Sequence, residues 1–230
     1  MKKLFIFAVL LSISNNLIWA QKGDCSGYFA HKAGTKFEIT VYDKKDKPST
    51  TLKYEVLKNT STTNGSDIVF SNESYDAKNR LIAKGEFSAK CQGSQFTTEV
   101  RNMSSEMMPK STDIQMSVSG DQLIYPHKLS AGQTLPDASV DTQSTMNGMK
   151  IMSMSTKITN RKVEGFETVE TPAGKFECVK ISYTYSNKMT LGKIEGKAVE
   201  YLAKGVGLVK SESFDKNGKK VSTQLLTKIY

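Results

Sequence analysis

The chain has 230 residues, of which 38% are hydrophobic and 24% are charged, and its formal net charge is +9 at pH 7. This length suits one all-β domain or two small domains, and it excludes a miniature scaffold that needs metals or disulfides to hold its core. The basic excess favours anionic partners such as lipid headgroups, acidic glycans or nucleic acid. Because the lysines are scattered rather than clustered, we expect no nucleic-acid partner, and the charge is also typical of a surface that only maintains solubility.

The first twenty residues have the features of a secretory signal peptide. Lys2 and Lys3 precede an apolar stretch over 4–11, and Ala20 offers a small residue at the cleavage position. The apolar stretch is too short to span a bilayer as a helix. We therefore expect residues 1–20 to be a signal peptide that is removed, which leaves 21–230 as a single β-rich domain in the periplasm or the extracellular space.

Most of the remaining sequence alternates apolar and polar residues. The pattern covers 37–42, 52–56, 96–100, 114–118, 179–185 and 221–229. Half-buried antiparallel strands with one wet face give this period of two, and no window carries the apolar spacing of a long helix. The predicted fold class is all-β, an antiparallel meander that forms a half-open barrel or a sandwich.

Three turns share one form, at 42–47, 75–80 and 214–219. An aromatic residue ends a strand, Asp caps the turn, and Asp, Asn or Gly follows where the backbone needs a positive φ. Each turn has too few carboxylates for a calcium site, so we predict three β-hairpins. Two prolines mark the region near 125–140 as an ordered crossover between two groups of strands.

Three cysteines follow the expected cleavage site, Cys25, Cys91 and Cys178. An oxidising compartment allows one disulfide and leaves one thiol over. Cys178 lies in a strand-like run and is predicted to be a buried free thiol. The preferred disulfide joins Cys25 to Cys91, although other connectivities stay open. Since charged residues precede Cys25 where a lipobox would need small and apolar ones, we expect no lipid anchor there.

Five segments occur in a fixed order and together resemble a known family. They cover 125–126, 132–138, 160–165, 170–178 and 205–212. The set resembles the TapB-like family of exported bacterial proteins, a domain of unknown function 3108-like. The resemblance implies a β-rich, barrel-like fold in the periplasm or at the cell surface, and it implies no catalytic residues. Where it leads us to expect a tryptophan ahead of Ala203, this chain has Tyr201.

The sequence favours a binding protein over an enzyme. Its two histidines, His31 and His127, lie in no recognisable acid–base or metal motif, and no nucleophile elbow or phosphate-binding glycine loop is present. We therefore expect no catalytic residues, no cofactor and no metal. The leading interpretation is an exported, non-enzymatic carrier that holds an apolar or lipid-like ligand. The alternative is a structural protein that docks on envelope proteins or cell-wall glycan.

Methionines provide the main candidate for a ligand surface. Met149, Met152 and Met154 lie in one strand-like run, and period-two geometry places the last two on the same face. Thioethers fill irregular apolar surfaces, and at such spacing they also bind Cu(I), which is the minor alternative. With the aromatic residues Tyr183 and Tyr201, these methionines are the predicted ligand-binding residues.

Overall fold

A computed structural model of the chain describes residues 27–93, 95–99, 114–189 and 192–230. Within these ranges the protein is all-β. Thirteen strands follow in chain order: β1 (Lys36–Asp43), β2 (Pro48–Thr62), β3 (Gly65–Asp76), β4 (Leu81–Gln92), β5 (Gln95–Glu99), β6 (Ile114–Gly120), β7 (Gln122–Pro126), β8 (Ala138–Met146), β9 (Met149–Thr171), β10 (Gly174–Met189), β11 (Gly192–Ala203), β12 (Gly207–Asp215) and β13 (Lys220–Ile229). Among the described residues, no helix is long and apolar enough to cross a membrane.

All thirteen strands belong to one antiparallel sheet with the order β6-β8-β9-β10-β11-β12-β13-β1-β2-β3-β4-β5-β7. The two edge strands, β6 and β7, are consecutive in the chain and separated only by Asp121. One chain segment therefore runs from one edge of the sheet to the other, so the sheet curls into a nearly closed antiparallel barrel with one unsealed seam. The predicted half-open barrel is confirmed.

The seam is held by a close approach at the junction of β6 and β7. The backbone N–H of Asp121 donates to the carbonyl of Ser139 at 2.8 Å, and the Asp121 carboxylate accepts from the Ser139 N–H at 2.9 Å and from its hydroxyl at 3.0 Å. Gly120 has a φ of +141°, and a Cβ there would lie 2.2 Å from the Ser139 carbonyl oxygen. Only glycine allows β6 and β8 to approach this closely at the end of their pairing.

The three predicted hairpin turns are confirmed. Asp43, Asp76 and Asp215 each accept hydrogen bonds, at 2.8 to 3.0 Å, from the backbone N–H groups two and four residues later. The residue with positive φ is Asp46, Asn79 or Gly218, respectively. The sequence pattern therefore predicted both where these turns lie and that an aspartate side chain caps each of them.

The connections divide between two ends of the barrel. The upper end, as we name it, carries the connections β1–β2, β3–β4, β8–β9, β10–β11 and β12–β13. The lower end carries β2–β3, β4–β5, β9–β10 and β11–β12, together with the crossover between β7 and β8. The region predicted as a crossover connects β7, which ends at Pro126, to β8, which begins at Ala138.

Two apolar clusters form the core. The larger one includes Val56, Ile68, Tyr125, Val163 and Ile181, and it joins strands from both halves of the barrel. The smaller one includes Val169, Cys178, Tyr201, Val209 and Leu226. In that second cluster the lower half of the long β9–β10 hairpin reaches β12 and β13, which are not its hydrogen-bonded neighbours.

Candidate functional site

A groove of about 800 Å³ opens at the lower end of the barrel. Four segments enclose it: the N-terminal segment, the crossover, the lower half of the β9–β10 hairpin and the β11–β12 turn. Its apolar lining consists of Tyr28, Leu129, Phe166, Phe176, Val179 and Val206. Phe166 is 57% exposed, which is unusual for a ring of this size next to a core. The groove therefore presents an apolar wall that no protein segment covers among the described residues.

Backbone hydrogen bonds fix the segments around the groove. The crossover docks on β9, because Gly132 N–H donates to the Val163 carbonyl at 2.8 Å and Val163 N–H donates to the Gln133 carbonyl at 2.8 Å. On the opposite side, Gly205 N–H donates to the carbonyl of Gly27 at 2.8 Å and ties the N-terminal segment to the β11–β12 turn. The groove is thus formed before any ligand arrives.

The charges around the groove are mainly positive. Lys128, Lys175 and Lys204 line it together with a single carboxylate, Glu177. None of the three lysines makes an ion pair with any residue that the structure describes. Glu177 already accepts a hydrogen bond from the hydroxyl of Thr168. An apolar wall beside unpaired ammonium groups suits a ligand with an apolar body and an anionic head.

Cys178 also lines the groove, and it is a buried free thiol as predicted. Burial, together with the smaller effect of the charges of Glu177 and Glu167, raises the pKa of the Cys178 thiol to about 11. A nucleophilic cysteine needs the opposite shift, because the thiolate is the reactive form. In the predicted disulfide, Cys91 is fully buried and Cys25 lies outside the described residues, so the Cys25–Cys91 disulfide stays a prediction.

A buried polar centre lies inside the barrel, next to the seam. Arg161 on β9 is only 1% exposed. Its Nη1 donates to the Pro136 carbonyl at 2.8 Å and to the Ile124 carbonyl at 3.1 Å, and its guanidinium lies 4.7 Å from the centre of the Tyr125 ring. Arg161 therefore joins β7 to the crossover across the seam. Its Nη2 has no hydrogen-bond partner among the described residues.

Tyr183 and Glu200 belong to the same centre. The Tyr183 hydroxyl donates to Glu200 Oε1 at 2.7 Å. Burial raises the pKa of Glu200, although the hydrogen bond from Tyr183 and the charge of Arg161 both act to lower it. Burial likewise raises the pKa of Tyr183 and of Tyr125. The centre therefore holds one fixed positive charge and one carboxyl group whose ionisation the low-dielectric interior opposes.

A bulge in β9 places Arg161 in the interior. Asn160 has a φ of +56°, and the pairing of β9 with β10 shifts by one residue there. The backbone N–H of Asn160 donates a hydrogen bond to Asp137 Oδ1 at 2.9 Å. Because the extra residue changes the alternation of the strand, Ile158 contacts the same core cluster as Val163.

The five predicted ligand-binding residues do not form one site. Met149 is 68% exposed at the upper end, whereas Met152 and Met154 are half-buried further down β9. Tyr183 lies in the polar centre, and Tyr201 lies in the smaller core cluster with its hydroxyl 3.5 Å from Glu212 Oε2. None of the five lines the lower groove. Met154 instead lines a second cavity, of about 480 Å³, with Met189 and Lys188. Their role in ligand binding stays a prediction, as does the Cu(I) alternative.

Sequence reasoning missed two features that the structure shows. The groove comes from four segments that are distant in the chain, so no local pattern indicates it. The polar centre did leave a signal, because Arg161 and Glu200 interrupt the apolar faces that Val163 and Leu202 continue. A charged residue at an inward position of a strand is rare unless it has a partner. Tyr183 was placed correctly on the inward face of β10.

Comparisons with known proteins agree with the fold. The DUF3108-like family model matches residues 32–226. A proposed exported protein with a YmcC-like fold from Bacteroides fragilis has a solved structure that aligns with a TM-score of 0.76 and 23% identity, covering 90% of this chain and 100% of that chain. A proposed lipoprotein from Parabacteroides distasonis aligns with a TM-score of 0.77 and 22% identity over the same shares of the two chains. No curated protein matches the sequence.

Proposed function

Since the chain belongs to the DUF3108-like family, whose model matches residues 32–226, we propose that it is a binding protein of the cell envelope that holds an anionic amphiphile in the lower groove. The signal-peptide pattern of residues 1–20 supports an exported location. The names of the two similar structures, an exported protein and a lipoprotein, support the same location. The compartment matters because envelopes are rich in acyl chains with anionic headgroups.

The observation that carries this proposal is the composition of the groove. Phe166 on β9 and Phe176 on β10 supply an aromatic wall, and Lys175 directly precedes Phe176 on β10. A cavity of about 800 Å³ falls within the range of small-molecule sites, which are mostly apolar with a few polar groups that orient the ligand. The apolar wall would hold an acyl chain, and Lys128, Lys175 and Lys204 would hold the headgroup.

The chemistry of the groove supports binding over catalysis. Its one thiol, Cys178, is held in the neutral form by a pKa of about 11. His127 has its Nε2 3.7 Å from the sulfur of Cys91, in a part-buried contact at the edge of the groove. The groove thus holds its thiol in an unreactive state, which suits a site that binds and releases a ligand unchanged.

The test is the affinity for dodecyl phosphate, measured by isothermal titration calorimetry with the full exported protein. Dodecyltrimethylammonium and dodecyl maltoside have the same chain with a cationic and a neutral head. We expect the phosphate to bind more tightly than either by about tenfold or more, because three ammonium groups that make no ion pair with the described residues line the groove. Equal affinity for all three amphiphiles, or no binding of any, would refute the proposal.

Matched variants locate the site. Lys175→Glu with Lys204→Glu reverses two charges of the groove and should weaken dodecyl phosphate binding by about tenfold or more. Lys216→Glu with Lys219→Glu makes the same charge change in the β12–β13 turn at the upper end and should leave the affinity unchanged. If both double variants lose the same affinity, the ligand responds to net charge alone and the groove is not its site.

A further inference from the structure

Exposed apolar side chains concentrate at the upper end, away from the groove. Twelve large hydrophobic residues of the described chain are exposed, and eight of these lie on upper hairpins. We call these eight the apolar rim: Leu81, Ile82, Met146, Met149, Ile151, Met189, Ile194 and Val221. They come from four of the five upper hairpins, so the rim follows the mouth of the barrel rather than one strand.

The rim residues are strongly exposed, although Met189 also lines the second cavity. Ile82 is 60% exposed and Ile194 is 52% exposed, and both belong to the first few residues of a strand. Along β9 and β10, Met154 is paired with Met189, so the β8–β9 hairpin extends beyond the last residue of β10. Exposed side chains that are spread over separate hairpins suit contact with a broad apolar layer better than binding of a single peptide in a groove.

Basic residues accompany the apolar rim. The upper connections, taken as 43–48, 76–81, 146–151, 188–195 and 215–221, hold eleven lysine or arginine residues and five acidic residues, a net charge of +6. The carboxylates are already engaged. Asp43 and Asp215 accept backbone N–H groups, and the others make ion pairs with Arg80, Lys193 and Lys220. The other eight cations make no ion pair with the described residues.

Apolar side chains interspersed with unpaired lysines match the surface of an anionic bilayer, where the apolar groups enter the interface and the ammonium groups meet lipid phosphates. We propose that the apolar rim docks the protein on an anionic lipid bilayer, with the lower groove directed away from it. The proposal is independent of the proposed function, because none of the rim residues lines the groove.

The test is co-sedimentation of the full exported protein with vesicles. Vesicles of phosphatidylcholine mixed with phosphatidylglycerol should bind the protein, pure phosphatidylcholine vesicles should bind it at least about tenfold less, and high salt should release it. Failure to bind the anionic vesicles overturns the proposal. Equal binding to the two kinds of vesicle also overturns it, because the lysines would then have no part.

Two sets of variants assign the binding to the rim. Leu81→Ser, Ile82→Ser, Ile194→Ser and Val221→Ser in one chain should abolish sedimentation with anionic vesicles, since these residues are exposed and contribute little to the core. Leu57→Ser with Ile229→Ser removes exposed apolar residues from the lower end and should leave vesicle binding unchanged. The reverse result would place the contact at the lower end.

A charge variant keeps the proposal testable if the serine variant unfolds. Lys44→Glu, Lys45→Glu, Lys216→Glu and Lys219→Glu lie in two turns and should also abolish binding. Sedimentation velocity without vesicles tests the competing occupant, a second copy of the chain. A dimer that the serine substitutions dissociate would show that the rim joins two copies, and it would overturn the bilayer proposal.

Discussion

Among the described residues, tight turns form the upper end of the barrel, whereas the longer crossover and the N-terminal segment cover the lower end. At the upper end each aspartate turn satisfies its own backbone within five residues, as at Asp43 and Asp215. At the lower end the crossover and the N-terminal segment depend on partners that are distant in the chain, such as Val163 and Gly205. Local sequence therefore determines the turns of the upper end, whereas packing between distant segments forms the groove at the lower end.

The largest expected effect comes from Arg161, which anchors the lower crossover. Arg161→Met leaves the carbonyls of Ile124 and Pro136 without a donor and removes the positive charge near Glu200. We expect the free energy of unfolding to fall by about 3–5 kcal/mol, as for other broken buried charge networks. Lys162→Met is the control, because the neighbouring lysine is exposed and makes only a surface ion pair with Glu164.

Hydrogen exchange should separate the two ends in the same pair of variants. In Arg161→Met, the amides of Gly132 and Leu135 should exchange faster, because both are bonded to β9 around Arg161. The amide of Asp46 in an upper turn should exchange as before. Urea unfolding measures the stability. A loss in Arg161→Met that equals the loss in Lys162→Met would contradict the anchoring role.

Two glycines provide the next comparison, one at the seam and one in an upper turn. Gly120→Ala places a Cβ 2.2 Å from the Ser139 carbonyl oxygen at a φ of +141°, so we expect a loss of about 2–4 kcal/mol. Gly218→Ala in an upper turn meets nothing within 4 Å and pays only for its φ of +79°, or about 1 kcal/mol. Thermal or urea unfolding measures both. A smaller loss for Gly120→Ala would mean that the seam yields easily.

Glu200→Gln should change the pH dependence of stability. Burial raises the pKa of Glu200 in the folded protein, so the folded state binds this proton more strongly than the unfolded state does. The native protein should therefore lose stability as the pH rises from the unfolded pKa through the folded one. The glutamine variant should lack that loss and gain stability relative to the native protein toward neutral pH. Urea unfolding across this range measures the difference, and parallel curves would mean that the carboxyl group titrates normally.

The smallest expected effect is on the reactivity of Cys178. A thiol with a pKa of about 11 is almost fully protonated at neutral pH, and the side chain is 1% exposed. Labelling by a maleimide should be slow in the native protein and fast after unfolding. Because Cys178 lines the groove, dodecyl phosphate should slow the native reaction further. Fast native labelling, or a rate that the ligand does not change, would count against this description of the groove.

Sequence periodicity predicted the strands and the turns well, because each depends on neighbours in the chain. The turns at Asp43, Asp76 and Asp215 needed only side chain to backbone bonds within five residues. The alternation also placed Tyr183 on the inward face of β10. These interactions are local, so a single sequence is sufficient to find them.

The lower groove was not predicted from the sequence, because it depends on contacts between distant segments. The methionine run is placed at the upper end, whereas the groove is at the lower end, and β9 spans the distance between them. Tyr183 and Tyr201 also lie in different parts of the core. Tyr183 bonds Glu200 in the polar centre, whereas Tyr201 packs in the smaller core cluster. Only the topology of the sheet brings Phe166 and Lys204 together, and periodicity carries no information on that.

The central claim is that the lower groove, and not the methionine-rich upper end, holds the amphiphile. Photo-crosslinking with a long-chain fatty acid that carries a diazirine on its chain tests this claim most directly, with the modified residues located by peptide mass spectrometry. The account predicts labels on Phe166, Phe176 or Val206, and their loss when excess dodecyl phosphate competes. Labels confined to Met149, Met154 or Met189 would contradict the account and would place the ligand at the upper end.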